Sequence, residues 1–412
     1  MSRFMAILLV VIGLVGLSSM ESFADERKTL EELLVDKGTI SKEEAASLQT
    51  TKLTKEVDRI TFGGDLRLRH ESFMNDSETA SRNRDRHRQR FRLRFGGTLK
   101  IDEFLVGIQL ASGEGQQVST NQSFDALFSQ KPIWIQQAYL QWKAAQWLKL
   151  TGGKMPNPFF RAYSSDIVWD DDVTPEGFAE TLTFPLSERI TLFVNAGQFV
   201  LDEDGGDNND QWLFGEQVGT DIGLGKSTKL TLAGAFYNFK NATLGTFGQV
   251  AVQEGNTRVP PTPPATAATN ILVNNYRVVD ITLQLATKVG DLPLSLQGDY
   301  IKNLADTTTD KDMGYQAGVI VGKASDPQSW EAAYFYKLVE TDATVADLAD
   351  SDFGNGGTNR KGHIVWVAYN PTKALQLKAK FFMTELEDET LPPGAGGKDD
   401  IDRLQVDASI KF

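Results

Sequence analysis

The sequence predicts an all-β fold, a 16-stranded antiparallel transmembrane β-barrel that follows a short N-terminal α-helical hairpin. Two observations predict the barrel. Apolar and polar residues alternate with a period of two in sixteen segments between residue 59 and the last residue, as in strands with one apolar and one polar face. The connections between these segments alternate between short turns and long loops, which is typical of bacterial outer-membrane barrels.

Composition excludes several classes of protein. The chain has 412 residues, a net charge of -13, no Cys and three His. Without Cys there is no disulfide scaffold, thiolate metal site or Cys nucleophile, and three His leave little material for a metal site or a His-based triad. An acidic chain is poorly suited to nucleic acid. No nucleotide-binding, serine hydrolase or metalloprotease motif occurs. We therefore expect that the protein is not an enzyme and that it binds no cofactor or metal.

Residues 1–24 resemble a cleaved signal peptide. Arg3 is followed by an apolar run from Met5 to Leu17, and Ser22 to Ala24 supply a small-residue cleavage site. The alternative is an N-terminal membrane anchor. After Ala24 no apolar run approaches the ~20 residues of a membrane-spanning helix. The protein is therefore expected to be exported.

Residues 25–58 predict a periplasmic helical hairpin. Thr29 to Glu32 and Ser41 to Glu44 each match a capping box, and Gly38 stands where the first helix would end. The apolar stripe is too short to fold alone. The hairpin is expected to pack on its copies or on the base of the barrel; a plug or a tether to the cell wall is the alternative.

Residues 59–412 predict the barrel itself. Alternation alone does not separate a lipid-facing barrel from a soluble β-sandwich. Three further features favour the barrel: alternating loop length, aromatic residues near strand ends, and a last strand whose apolar face ends on Phe412. The aromatic residues are Phe104, Trp134, Trp142, Trp147, Tyr300, Tyr315, Trp330, Tyr336, Trp366 and Phe412. Ordinary cross-strand pairing would explain any one of them equally well.

Several runs resemble the putative porins of Gram-negative bacteria. The resemblance is strongest in residues 59–180, and it rests on 60–69, 85–96, 136–142, 150–155 and 168–177. The predicted helical segment before residue 59 is similar to those that precede the barrels of phosphate-selective and related porins. The resemblance implies a passive outer-membrane channel, commonly trimeric, and it leaves the solute open.

An arginine ladder occupies the polar faces of the first two predicted strands. Its members are Arg67, Arg69, Arg88, Arg90, Arg92 and Arg94. Antiparallel pairing would place them on one wall, where guanidinium groups attract anions and focus the potential in a narrow pore. The alternative is a structural network in which Asp65, Glu71 and loop carboxylates neutralise the ladder.

The third long loop, residues 155–176, is the predicted counterpart of the ladder. Its acidic residues are Asp166, Asp170, Asp171, Asp172 and Glu176. In general porins the loop in this ordinal place folds inward, so we expect a constriction in which acidic residues face the arginines. The alternative is a solvated external loop. Further acidic loops at 200–211, 339–361 and 385–400 are expected to be external.

The expected function is therefore passive diffusion of small hydrophilic solutes and ions. The alternatives are a substrate-specific oxyanion channel of the phosphate type and a plugged structural or adhesion barrel. Expected partners are outer-membrane lipid, lipopolysaccharide, two further copies in a homotrimer, and the barrel-assembly machinery through the strand that ends at Phe412. Both termini are expected to be periplasmic, because the strand count is even.

Overall fold

The computed structural model describes residues 37, 41, 59–77, 85–203, 205–206, 209–244, 255–258, 271–390 and 399–412. The predicted signal peptide, and the predicted helical hairpin apart from residues 37 and 41, lie outside these ranges. Within them, no helix is both long enough and apolar enough to cross a membrane.

The described residues form one antiparallel sheet whose strands are numbered in chain order. The strands are β1 (Ile60–Ser77), β2 (Arg86–Ile101), β3 (Phe104–Ser112), β4 (Gln122–Ser123), β5 (Ile133–Ala145), β6 (Leu148–Lys154), β7 (Glu176–Pro185), β8 (Ile190–Asp202), β9 (Gln211–Gly223), β10 (Lys229–Lys240), β11 (Tyr276–Val289), β12 (Leu292–Asn303), β13 (Met313–Gly322), β14 (Ser329–Val339), β15 (Arg360–Asn370), β16 (Leu375–Leu386) and β17 (Asp399–Lys411). Short 3-10 helices span Ala126–Phe128 and Ala346–Leu348. β4 is a two-residue segment that pairs with β2, so sixteen strands form the wall, as predicted.

The wall closes on itself because β1 pairs with β2 on one side and with β17 on the other. At the seam the Gly64 amide donates to the Phe412 carbonyl at 2.9 Å, and the Phe412 amide donates to the Gly64 carbonyl at 3.1 Å. A closed sheet has no free edge, so every strand finds a partner within the barrel. The predicted closed antiparallel barrel is therefore confirmed.

The outer face is apolar, and the inner face is polar with apolar patches. Leu68 and Ile108 are more than half exposed on the outside, as lipid-facing side chains are. Trp366 was predicted for an interfacial girdle, and this prediction is wrong. Its ring is 3% exposed and stacks on Phe335 inside the barrel, with ring centroids 5.4 Å apart. Strand parity is the reason, since Ile364 two residues earlier is also buried in the same interior cluster.

Two long loops fold into the barrel. Loop A comprises residues 155–175 between β6 and β7, and loop B comprises residues 340–359 between β14 and β15. Loop A includes the buried side chains of Phe159 and Trp169, and loop B those of Val345 and Phe353. The loops meet: the Asp170 amide of loop A donates to the Leu348 carbonyl of loop B at 2.7 Å.

Candidate functional site

Register places the six predicted arginines side by side on the inner face of β1 and β2. Arg67 lies opposite Arg92, and Arg69 lies opposite Arg90. Asp65 lies opposite Arg94 and Glu71 opposite Arg88, so two carboxylates stand within the same rows. Alternation with a period of two therefore brings the whole ladder onto one wall.

Short ion pairs tie the ladder to aspartates of the wall. Arg69 binds Asp407 of β17 with two nitrogens, at 2.7 and 2.8 Å. Arg92 donates twice to Asp65 Oδ1, at 3.0 and 2.7 Å, and Arg94 Nε donates to Asp65 Oδ2 at 2.8 Å. Two-pronged contacts of this kind fix the guanidinium planes as well as their positions.

Glu71 is a second acidic centre of this network. Its carboxylate is fully buried and accepts hydrogen bonds from Arg88, from Arg403 of β17 and, at 2.9 Å, from Gln405. Arg90 Nη1 lies 3.7 Å from the same carboxylate. A buried carboxylate is stable only with such compensation, so Glu71 and its arginines depend on one another.

Arg67 is the least compensated member of the ladder. Its nearest carboxylate among the described residues is that of Asp407, whose Oδ2 lies 3.9 Å from Arg67 Nη1. Its strong contact is neutral, a hydrogen bond of 2.6 Å from Nη2 to the amide oxygen of Asn121. Arg67 therefore lacks the close carboxylate contact that Arg69, Arg92 and Arg94 make.

Aromatic side chains hold loop A against the opposite wall. The Phe159 and Trp169 rings both contact the buried Tyr237 ring of β10, with centroid distances of 5.1 and 5.6 Å. Gly215 of β9 provides the room, because a Cβ at this position would lie 2.4 Å from the Phe159 ring. Burying two large aromatic side chains contributes several kcal/mol, which accounts for the inward position of the loop.

The carboxylates of loop A have different roles. Asp172 accepts hydrogen bonds from the Thr120 amide and hydroxyl, both at 3.1 Å, and lies 3.4 Å from Arg94 Nη1. Asp170 accepts from the Asp172 amide and from the Ser351 amide of loop B, both at 2.9 Å. The Asp172–Arg94 pair is therefore a direct contact between the acidic loop and the arginine wall.

Loop B was expected to be external, and the structure contradicts this. Thr341, Asp342 and Val345 are completely buried. Phe353 packs on Phe382 of the inner wall, with centroids 6.4 Å apart, and Asp350 accepts a hydrogen bond of 2.8 Å from Lys337 of β14. Its acidic residues therefore pair with groups inside the barrel instead of facing solvent.

Comparison with known proteins decides the family. The sequence profile described as "putative porin" matches residues 74–254 and 246–412, which is most of the chain. The chain belongs to this porin family. The predicted resemblance is thus confirmed, and with it an outer-membrane barrel of the porin type.

Solved porins share the fold of this porin. The high-pH structure of Pseudomonas putida OprB has a TM-score of 0.53 and 12% identity, over 88% of this chain and 97% of that one. The Salmonella typhi OmpF complex with daunomycin has a TM-score of 0.51 and 11% identity, over 86% of this chain and 97% of that one. At such identities the likeness concerns the fold alone. No curated protein matches the chain.

Four of the five predicted acidic residues of this porin lie together in loop A. Asp166 and Asp171 flank Arg161, at 3.5 and 2.8 Å, and Asp171 is the exposed one. Glu176 is separate, since it begins β7, is exposed and pairs with Lys154 at 2.9 Å. The structure therefore brings Asp172 to the arginine ladder at Arg94, keeps Asp166, Asp170 and Asp171 in contacts with other groups, and places Glu176 at the start of β7.

Burial and neighbouring charge shift the acidity of the loop carboxyls. Burial raises the pKa of Asp166 and Asp170 well above its usual range, and the neighbouring carboxylates Asp171 and Asp172 add to the effect. Asp352 of loop B behaves in the opposite way. Burial opposes its ionisation, but Arg403 and Arg69 hold the pKa of Asp352 well below the usual value. Loop B is thus bound to the ladder by ionised groups.

Sequence reasoning missed Arg403, Asp407 and Asp352. Arg403 and Asp407 lie on the polar face of the last strand, and closure of the barrel places that face beside the first strand. Pairing the predicted first and last strands in register would have found both. Asp352 had no comparable signal, because nothing in its local sequence indicates a loop that folds inward.

Proposed function

We propose that this porin allows passive diffusion of small hydrophilic solutes and ions through a water-filled barrel. The observation that carries the proposal is the inward loop A, whose Asp172 carboxylate lies 3.4 Å from Arg94 of the arginine wall. Opposite charges on facing walls produce a field across the passage, which orders water and disfavours apolar molecules. No cofactor or energy coupling enters this mechanism.

The proposal includes the surroundings of the barrel. A homotrimer in the outer membrane, contact with lipid and lipopolysaccharide, and termini on the periplasmic side all fit a porin with an even number of strands. The last strand, with Phe412 bound to Gly64 at the seam, would be the segment that the barrel-assembly machinery handles.

Neutralising two ladder residues tests the charged wall. In planar bilayers with a salt gradient, Arg90→Gln/Arg92→Gln should shift the reversal potential toward lower anion preference, because two cationic groups leave the inner face. The matched control is Arg189→Gln/Arg277→Gln, which removes the same charge from the turn before β8 and from an exposed position of β11. Equal selectivity in all three proteins would place the ladder outside the narrowest part of the pathway.

Two alternatives each have an observation in their favour. A specific oxyanion channel is favoured by the fixed guanidinium planes of the ladder, since such forks match phosphate. Block of single-channel current by low concentrations of phosphate would identify it.

A plugged barrel is favoured by the hydrogen bonds between loops A and B inside the wall. Complete absence of current from reconstituted protein would identify that function.

A further inference from the structure

Two lysines extend the positive wall beyond the ladder. Lys378 and Lys380 occupy inner-face positions of β16, opposite Asp407 and Gln405 of β17. The Lys378 Nζ lies 4.6 Å from the ring centroid of Trp366, and the Lys380 Nζ lies 5.6 Å from the same centroid and 4.5 Å from that of Phe382. Both ammonium groups therefore lie beside aromatic rings.

Neither lysine forms an ion pair within 4.0 Å in the part of the chain that the structure describes, although carboxylates lie farther away. The carboxylates that act on Lys378 are engaged elsewhere: Asp407 binds Arg69 at 2.7 and 2.8 Å, and Glu331 accepts from Trp366 Nε1 at 2.8 Å. Those that act on Lys380 also have closer partners, since Asp352 pairs with Arg403 at 2.7 Å and Asp166 with Arg161 at 3.5 Å. No ion pair within 4.0 Å reaches either Nζ in the described ranges. Two like charges on one strand face repel each other unless a counter-ion is present. Both lysines remain partly exposed, so an anion can reach them.

An exposed aromatic ring stands beside this pair. Tyr163 of loop A meets Trp366 edge-on, with centroids 6.4 Å apart and an interplanar angle of 78°. Its side chain projects from an inward loop, yet the residue is 52% exposed. A ring held in this way offers a face or an edge to another aromatic group.

We propose that Lys378, Lys380, Trp366 and Tyr163 form a binding site for a small aromatic carboxylate inside the barrel. The carboxylate would be held by the two ammonium groups, and the aromatic body would lie against Tyr163. Inorganic phosphate would use the ammonium groups but not the ring. The proposal deepens the proposed function, because it names a class of solute for the same interior.

Binding is measured without reference to transport. Isothermal titration calorimetry of the detergent-solubilised full-length protein uses benzoate as the probe, with acetate and phosphate as comparison anions. Benzoate should bind more tightly than either. Lys378→Gln/Lys380→Gln should weaken benzoate at least about tenfold, since charge-assisted hydrogen bonds are lost. The matched control is Lys100→Gln/Lys149→Gln, which removes the same charge from inner-face positions of β2 and β6.

Conservative variants distinguish the effects of the two charges and of the aromatic ring from the effect of a folding defect. Lys378→Arg/Lys380→Arg keeps both cations and should retain benzoate binding. Tyr163→Phe should bind like the wild type, and Tyr163→Leu should bind more weakly. The inference is overturned if phosphate or acetate binds as tightly as benzoate, if the glutamine variant and the control bind equally, or if the wild type does not bind benzoate.

Current recordings distinguish this inference from the proposed function. Benzoate should interrupt the single-channel current of the wild type and of the Lys100/Lys149 control, and much less that of the Lys378/Lys380 variant. Calorimetric binding without any ionic current would leave the site in place and refute the channel. Normal current with no benzoate binding would refute the site alone.

Discussion

Phe353→Ala tests whether loop B narrows the passage. Phe353 is 1% exposed, packs on Phe382, and lies with its ring centroid 5.1 Å from Lys337 Nζ. Truncating a buried phenylalanine to alanine costs about 3–5 kcal/mol. If about 3 kcal/mol of this falls on the docking of loop B, the ratio of docked to undocked loop drops roughly 100-fold.

Polar anchors of loop B remain in this variant. The Lys337–Asp350 bond of 2.8 Å and the Ser351–Asp170 bond of 2.9 Å are untouched, so the barrel itself should form. Single-channel recordings in planar bilayers should therefore show a larger mean conductance, with frequent transitions as the loop leaves and re-enters the interior.

Phe128→Ala is the matched control for this prediction. It makes the same chemical change at a fully exposed phenylalanine outside the wall, and it should leave conductance and stability as in the wild type. A Phe353→Ala protein with lower stability but unchanged conductance would refute a narrowing role for loop B. Unchanged stability would refute the packing argument itself.

Two further predictions concern buried charges. Lys337→Met leaves Asp350 buried without its partner and should lower the free energy of unfolding by about 3–5 kcal/mol, measured by guanidinium denaturation. The double variant Lys337→Met/Asp350→Leu should recover much of this loss. If it does not, the pairing of the two residues is contradicted. The raised pKa of Asp166 and Asp170 means that their ionisation opposes the inward position of loop A at neutral pH, and that this penalty is relieved as the pH falls through the raised pKa. Asp170→Asn should therefore flatten the dependence of the thermal midpoint on pH between about pH 7 and pH 4, whereas the wild-type slope in this variant would show that another group is responsible.

The barrel and its ladder were predictable because both depend on a period of two. Arg67, Arg69 and Arg90 lie on polar positions of strands with clear alternation, and antiparallel pairing alone brings them together. The alternation of short and long connections also indicated which end of each strand faces the periplasm. A local pattern was thus sufficient wherever neighbouring strands decide the geometry.

The inward path of loop B was not predictable from such patterns. Its sequence is acidic, which usually indicates solvent, and its burial depends on Phe353 meeting an apolar patch of the inner wall. That patch, with Phe335, Ile364 and Phe382, looks like lipid-facing sequence, because period two does not say which apolar face is inside. Trp366 was misassigned for the same reason.

The contact between the first and last strands has a consequence for how this protein can diverge. Arg69 joins Asp407 across 338 positions of sequence, and Arg403 joins Glu71 across 332, so the same charges that face the interior also fasten the cylinder. A substitution at Arg69 or Glu71 that changes ion preference would also weaken the contact between β1 and β17. Among the described residues, Lys378 and Lys380 form no ion pair within 4.0 Å across this contact, so a substitution there would change ion preference with less effect on closure of the barrel.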